Sequence, residues 1–378
     1  MITVLSIVGT RPEAIKMAPV IQELRRHPDR IRSRVCVTAQ HRHMLDQVLA
    51  LFGIAPDHDL DIMNDNQTPV QVIRAILERL EPVLRAEQPD WILVQGDTTT
   101  VMTAALLAYH HRIRVGHIEA GLRTGDKQHP FPEEINRRVT DVLADLYFAP
   151  TETARANLLR EGVDPARIRV TGNTVIDALQ QVAARPYDWN SGPLAGIPRD
   201  RRLILVTAHR RENFGAPLEA ICGALRDLAV RYAGDAHLVY PVHPNPNVAV
   251  PVHAALGGLP DLTLLPPLEY LPLVHLLRRC ALILTDSGGL QEEAPTFGVP
   301  VLVLRDKTER PEAVQAGAAR VVGADRARIV AEACRLLDDP GAHARMAQAR
   351  NPFGDGHAAI RIVESLLEAI DSPSGSPS

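Results

Sequence analysis

Short apolar runs alternate with longer stretches in which apolar positions recur every three or four residues. The runs are Ile2–Val8, Arg34–Ala39, Trp91–Gln95, Arg114–Ile118, Leu146–Ala149 and Arg167–Thr171, then Leu203–Thr207, His237–Val242, Leu262–Leu265, Ala281–Thr285, Pro300–Leu304 and Arg320–Val322. Several are almost continuous Val, Ile and Leu, the pattern of a strand covered on both faces. The longer stretches, such as Ala14–Arg26, Val70–Glu87, Thr99–His110 and Pro217–Tyr232, carry the helical period. Strand–helix alternation predicts parallel sheets with helices on both sides. The pattern breaks at 185–201, where Pro186, Gly192, Pro193, Gly196 and Pro198 cluster. The expected class is therefore α/β, with two Rossmann-like doubly wound domains at 1–184 and 202–354, joined by a linker at 185–201. A helix at 355–370 is expected to pack back on the N-terminal domain, before a disordered Ser/Pro/Gly tail at 371–378.

Composition narrows the possible partners. The chain has 378 residues, 46% hydrophobic and 23% charged, enough apolar material for a substantial core in each half. A net charge of -4 gives no electrostatic case for nucleic acid or an acidic membrane surface. No apolar run approaches the roughly 20 residues of a membrane span, and the N-terminus reads directly as a strand, so a cytoplasmic protein is expected. Cys36, Cys222, Cys280 and Cys334 lie far apart in or beside apolar runs, as small hydrophobes do. Neither a disulfide framework nor a zinc site fits that spacing.

In doubly wound sheets ligands bind beyond the C-terminal ends of the strands, so the residues that follow each apolar run carry the chemistry. The first run ends in Gly9-Thr10-Arg11-Pro12-Glu13, with Lys16 soon after. A helix start offers free backbone N–H groups to an anion, and Arg11 and Lys16 add charge; the plain alternative is a capped helix with surface cations. The second run leads into Gln40, His41 and His43, a polar loop without a third metal ligand. Later runs end in Gly96-Asp97-Thr98 and in Glu119-Ala120-Gly121, and Glu133-Glu134 follows a polar loop. Asp97 or Thr98 would serve as a helix N-cap, and the glutamates as ordinary first-turn acids. Any one of these carboxylates fits a structural role, but three, Asp97, Glu119 and Glu133, at one sheet edge are harder to dismiss as structural.

The second half repeats the theme with the opposite charge. His209-Arg210-Arg211, then His243, then Asp286-Ser287-Gly288-Gly289 with Glu293 downstream, follow successive runs. Glycines that open a helix let backbone N–H groups approach phosphate oxygens, and with the neighbouring His and Arg residues they outline a diphosphate site. Acids in one half and an anion site in the other suit a nucleotide-diphosphate sugar. The Gly-x-Gly-x-x-Gly fingerprint of a nicotinamide site is absent after the first run, as is a Walker loop, and no cofactor or metal is expected. Transfer of the sugar to an acceptor, its hydrolysis, and a nucleotide-sugar sensor without catalysis stand as alternatives; the acids count against the sensor.

Taken together, the strings GTRPEAIKMAP (9–19), TAQHR (38–42), GDTTT (96–100), GHIEAGLRTGD (116–126), PEEINRR (132–138), TGNTVIDAL (171–179), HRREN (209–213), PVHPNPNV (241–248), LTDSGGLQEEAP (284–295) and TERPEAV (308–314) resemble the non-hydrolysing UDP-N-acetylglucosamine 2-epimerases of bacteria. They run in order over about residues 1–370. The resemblance implies a glycosyltransferase-B fold with the active site in the interdomain cleft, and a homodimer. It implies reversible inversion at C2 of UDP-N-acetylglucosamine (UDP-GlcNAc) by anti elimination of UDP and re-addition through 2-acetamidoglucal, supplying N-acetylmannosamine units for cell-surface polysaccharide. By residue match, Asp97, Glu119, Glu133 and His209 would be catalytic. Arg11, Lys16, His209, Ser287, Gly288, Gly289 and Glu293 would hold UDP. Gln40, His41, Arg210 and His243 would form an allosteric site at which UDP-GlcNAc also acts as activator. The sequence departs from some relatives at Gln95, where they have His, and at Ala208, where they have Gly.

Overall fold

A computed structural model of the chain describes residues 1–38, 42–63 and 67–371. They form two compact units: Met1–Ala178 together with the segment from Phe353 onward, and Leu179–Pro352.

The first unit is built on a seven-stranded sheet. Its strands are β1 (Ile2–Val8), β2 (Ile31–Val37), β3 (His58–Asp59), β4 (Trp91–Gln95), β5 (Arg114–Ile118), β6 (Leu146–Ala149) and β7 (Ile168–Val170). Their order is β3-β2-β1-β4-β5-β6-β7, and every pair is parallel. All five residues of β4 are buried, which is why that run shows no polar alternation. Helices press closely on the sheet through small residues: Ala104, Ala105 and Ala108 of the helix Thr99–His110 are fully buried. The two-residue β3 carries too little pattern to be read from sequence. The predicted strand at Arg167–Thr171 is shorter, because Pro165–Arg167 forms a single 3₁₀ turn capped by Asp164.

The second unit has a six-stranded parallel sheet in the order β10-β9-β8-β11-β12-β13. The strands are β8 (Arg202–Thr207), β9 (Ala236–Pro241), β10 (Leu262–Leu265), β11 (Cys280–Thr285), β12 (Val301–Val303) and β13 (Ala319–Val321). In each sheet the strand order reverses direction once, between β1 and β4 and between β8 and β11. Such a reversal opens a crevice at the C-terminal strand ends.

The division between the units falls inside the helix Thr174–Ala183 rather than at 185–201. The Pro/Gly-rich stretch belongs to the second unit because its few apolar side chains are anchored there. Leu194 and Ile197 are buried, and Tyr187 stacks on His275 at 5.1 Å. The helix Ala358–Asp371 returns to the first unit and packs on the helix Arg11–Leu24. Its start is capped from a distance: the Asp177 carboxylate accepts the Ala358 and Ala359 N–H groups at 3.2 and 2.8 Å. Its last residue, Asp371, pairs with Arg30 at 2.5 Å. Among the described residues no helix is long and apolar enough to cross a membrane.

Candidate active site

Two strand ends and one helix start of the first unit carry the acids. Gln95 and Ile118 are register partners on β4 and β5, so Asp97 and Glu119 emerge side by side. Thr98, not Asp97, caps the following helix, accepting the Val101 N–H at 3.3 Å. The Asp97 carboxylate is thereby left to the site, where Arg137 holds it at 2.5 Å. Arg137 lies on the helix Glu133–Leu143, one turn beyond Glu133, so both side chains share a face. Asn136 of the same helix donates to the Asp97 carbonyl at 3.0 Å. The twin glutamates at its start separate clearly. Glu134 is buried and accepts the Thr124 and Gly125 N–H groups at 3.1 and 3.2 Å, fixing the preceding loop. Glu133 is half-buried, and among the described residues nothing pairs with its carboxylate.

Glu119 sits in left-handed backbone at φ 68°, a costly conformation for a residue with a Cβ. Its side chain is buried and gripped by three groups. Lys16 donates to both carboxylate oxygens at 2.8 Å, Asn173 donates at 3.2 Å, and the Gln95 amide makes a third bond. Lys16, expected at UDP from the resemblance, is thus placed against the acid. A buried carboxylate needs that compensation. Gln95, one of the departures noted above, is one of the groups that supply it.

Glu13 is a further buried acid beside this edge, and sequence reading passed over it as part of a helix start. Its two oxygens accept the Gly9 N–H at 2.7 Å and the Thr10 hydroxyl at 2.8 Å. Burial pushes its pKa up to about 7, with Asp97 adding to the rise against the hydrogen bonds of Gly9, Thr10 and Thr98. The folded protein therefore holds this proton more tightly than the unfolded chain. That contribution to stability is complete below the unfolded value near 4.5 and is lost as pH rises through about 7. The difference in unfolding free energy between wild type and Glu13→Gln should shift by about 2 to 3 kcal/mol in favour of the variant between roughly pH 5 and 8. Urea titrations of both proteins at the two pH values check this, and a constant difference would refute it.

Beneath Asp97 and Glu119 lies a buried ionic network. His117 of β5 reaches Asp141 at 2.6 Å and the Gly96 carbonyl at 2.7 Å. Asp141 also accepts from Arg123 at 2.7 Å and from the Gly121 N–H at 3.2 Å. Burial pushes the Asp141 carboxyl up, but the opposing pull of His117 and Arg123 is larger and holds it below the usual carboxylate range. The network ties Gly96, just before Asp97, to Gly121, just after Glu119.

In the second unit the polar residues gather at the β8–β11 reversal. His209, Arg210 and Arg211 follow β8, and the His209 ring, half-buried, stacks on His243 with centroids 5.4 Å apart. Beyond β11, Ser287 precedes the short helix Gly288–Glu293 and makes no side-chain cap. A Cβ on Gly288 would lie 3.9 Å from the Arg310 guanidinium, so this turn runs beside a cation that Glu292 holds in place. Glu293 is buried, and its carboxylate accepts the Tyr270 hydroxyl at 3.1 Å. Arg11 opens the helix Arg11–Leu24 in the first unit. Gln40 and His41 lie outside the described residues; of the four expected allosteric positions, the structure places Arg210 and His243. Among the described residues no group of three or more His, Cys, Asp or Glu is arranged to hold a metal ion. The four cysteines are free thiols, and three of them are buried.

These two parallel doubly wound units are of the glycosyltransferase-B type. Residues 22–367 match the family model of UDP-N-acetylglucosamine 2-epimerase. The UDP-N-acetylglucosamine 2-epimerase of Escherichia coli K12 is 54% identical over 369 residues, covering 96% of this chain and 98% of that protein. Among solved structures, the UDP-GlcNAc 2-epimerase of Neisseria meningitidis bound to UDP-GlcNAc superposes with a TM-score of 0.88 at 47% identity, over 97% of this chain and all of that one. The Methanocaldococcus jannaschii enzyme in complex with UDP-GlcNAc and UDP gives 0.80 at 34% identity, over 97% and 99% of the two chains. The chain belongs to the UDP-N-acetylglucosamine 2-epimerase family.

Proposed function

We propose that the protein interconverts UDP-GlcNAc and its C2 epimer, UDP-N-acetylmannosamine (UDP-ManNAc), by eliminating UDP and adding it back. The observation that carries this reading is the group of acids around Asp97 and Glu119. Sugar chemistry at C2 needs a base on one face of the ring and an acid on the other, and a site for the diphosphate alone needs neither. A carboxylate takes the C2 proton, the C2–H electron pair becomes the C1=C2 double bond of 2-acetamidoglucal, and the C1–O pair leaves with UDP. In the return step a diphosphate oxygen attacks C1, and a proton reaches C2 from the face opposite to the one it left. C2 bears no carbonyl, so its proton is weakly acidic and removal depends on a positioned base. Cleavage of the C1–O bond depends on charge placed where the diphosphate develops it. His209, Arg11 and the N–H groups at Ser287, Gly288 and Gly289 suit that second task, with Glu293 completing the UDP site. Asp97, Glu119 and Glu133 suit the first.

Incubation with UDP-GlcNAc alone, followed by proton NMR, tests the reading. UDP-ManNAc should accumulate to an equilibrium mixture. Free N-acetylmannosamine with UDP would instead mean hydrolysis, and an unchanged spectrum would mean that an acceptor or no chemistry is involved; either outcome overturns the proposal.

A further inference from the structure

The most completely buried acid of the second unit is Asp286, the residue after β11, with no exposed surface. One carboxylate oxygen, Oδ2, collects three donors: the backbone N–H groups of His209 and Arg210, both at 2.8 Å, and the Asn213 amide at 2.9 Å. The other, Oδ1, is buried and has no hydrogen bond among the described residues, while His209 Nδ1 stands 3.5 Å away. A buried carboxylate oxygen without a donor is costly, and a small turn of the imidazole would satisfy it. Only a ring that carries its proton on Nδ1 can do so, since a carboxylate accepts and does not donate.

We propose that Asp286 is the positioning residue for His209: it seats the loop that carries the imidazole and keeps the ring proton on Nδ1, so that Nε2 faces the ligand. The inference rests on the reading of His209 as the residue that meets the diphosphate. Everything that bears on the ring fits this role. The stacked His243 accepts the Asn245 N–H through its own Nδ1 at 3.2 Å and so does not compete for Asp286. Burial holds the His209 pKa down, Asp286 opposes that, and Arg210 and His243 reinforce it. Burial thus favours the neutral ring, and in that form the nitrogen that bears the single proton is the deciding feature. With Nδ1–H directed at Asp286, Nε2 is left basic, ready to take a proton and meet a developing anion.

Asp286→Asn makes the test sharp. The amide oxygen can keep the donors now on Oδ2, which places the NH₂ where Oδ1 was, facing Nδ1. The loop stays seated and the tautomer reverses. Long-range ¹H–¹⁵N spectra of protein labelled at histidine, with the His209 signals assigned by their loss in His209→Asn, should show Nδ1–H in the wild type and Nε2–H in Asp286→Asn. Turnover should fall roughly 10- to 100-fold in the variant. Asn213→Ala, which loosens the loop without touching Oδ1, should keep the Nδ1–H tautomer. A wild-type ring protonated on Nε2 overturns the proposal even if the variant does not fold, and so does a reversed tautomer in Asp286→Asn with normal turnover. If the wild type shows Nδ1–H but forms no UDP-ManNAc, the tautomer assignment stands and the proposed function falls.

Discussion

Asp97→Asn, Glu119→Gln and Glu133→Gln should each lower turnover at least about 10²-fold, the usual worth of a group that transfers a proton in the transition state. Each change keeps the size of the side chain and removes its acid–base capacity. The three environments predict different side effects. At Glu119 the amide removes the negative charge that the Lys16 ammonium meets at 2.8 Å, so this variant should also lose stability. At Asp97 the amide can still accept from Arg137, and folding should be nearly unaffected. Glu133 has no such partner among the described residues, so its variant should be the least disturbed of the three in everything except rate. UDP affinity, measured by calorimetry, should persist in the Asp97 and Glu133 variants, since the expected diphosphate ligands lie elsewhere. Near-normal rates in all three proteins would remove the acids from the chemistry.

Gly121→Ala should be the most damaging single methyl in the first unit. Gly121 follows Glu119 by two residues at φ 85°, where an L side chain is strained. A Cβ there would run into the Ala154 carbonyl, with the carbonyl carbon 2.9 Å away and Leu158 Cγ equally close. Strain alone costs about 1 kcal/mol or more, and a backbone collision cannot be relieved by a rotamer change; together about 3 kcal/mol or more is expected. That corresponds to a fall in Tm of roughly 6–12 °C for a unit of this size. Gly125→Ala is the control: its φ is 78°, but a Cβ would meet nothing within 4 Å, so about 1 kcal/mol is expected. Equal losses in the two variants would mean that the close approach at Gly121 contributes nothing.

The same contrast shows what could be read from sequence. The doubly wound units were legible because both-face burial leaves uninterrupted runs such as Trp91–Gln95, and because strand ends are where ligands bind in such sheets. The acids and the histidine–glycine strand ends were therefore visible as a set. Their division of labour was not. Asp97 and Thr98 are both good N-caps, and only the hydrogen bond from Val101 to Thr98 frees the aspartate. Glu133 and Glu134 are identical in type and adjacent; burial and the Thr124 and Gly125 N–H groups single out the second as structural. The pairing of Lys16 with Glu119 was not legible, because nothing local reveals a partner 103 residues away. Glu13 and Asp286 were missed for a related reason. The backbone N–H groups that Asp286 collects come from 76 and 77 residues away, and such groups leave no mark on composition or period; the partners of Glu13 are local, and its burial is what the pattern does not show. One signal was available: Asp286 directly follows β11, and Glu13 lies in the first turn of the helix that follows β1, both beside a reversal of sheet order.

The central claim, that the C2 proton leaves and returns, is tested most directly by running the reaction with UDP-GlcNAc in D₂O and examining C2 of the product by NMR. Carboxyl protons exchange rapidly with water. Elimination and re-addition should therefore place deuterium at C2 of UDP-ManNAc, with the H2 signal lost and the H1 coupling to it collapsed. UDP-ManNAc that forms with its C2 proton fully retained would contradict the account.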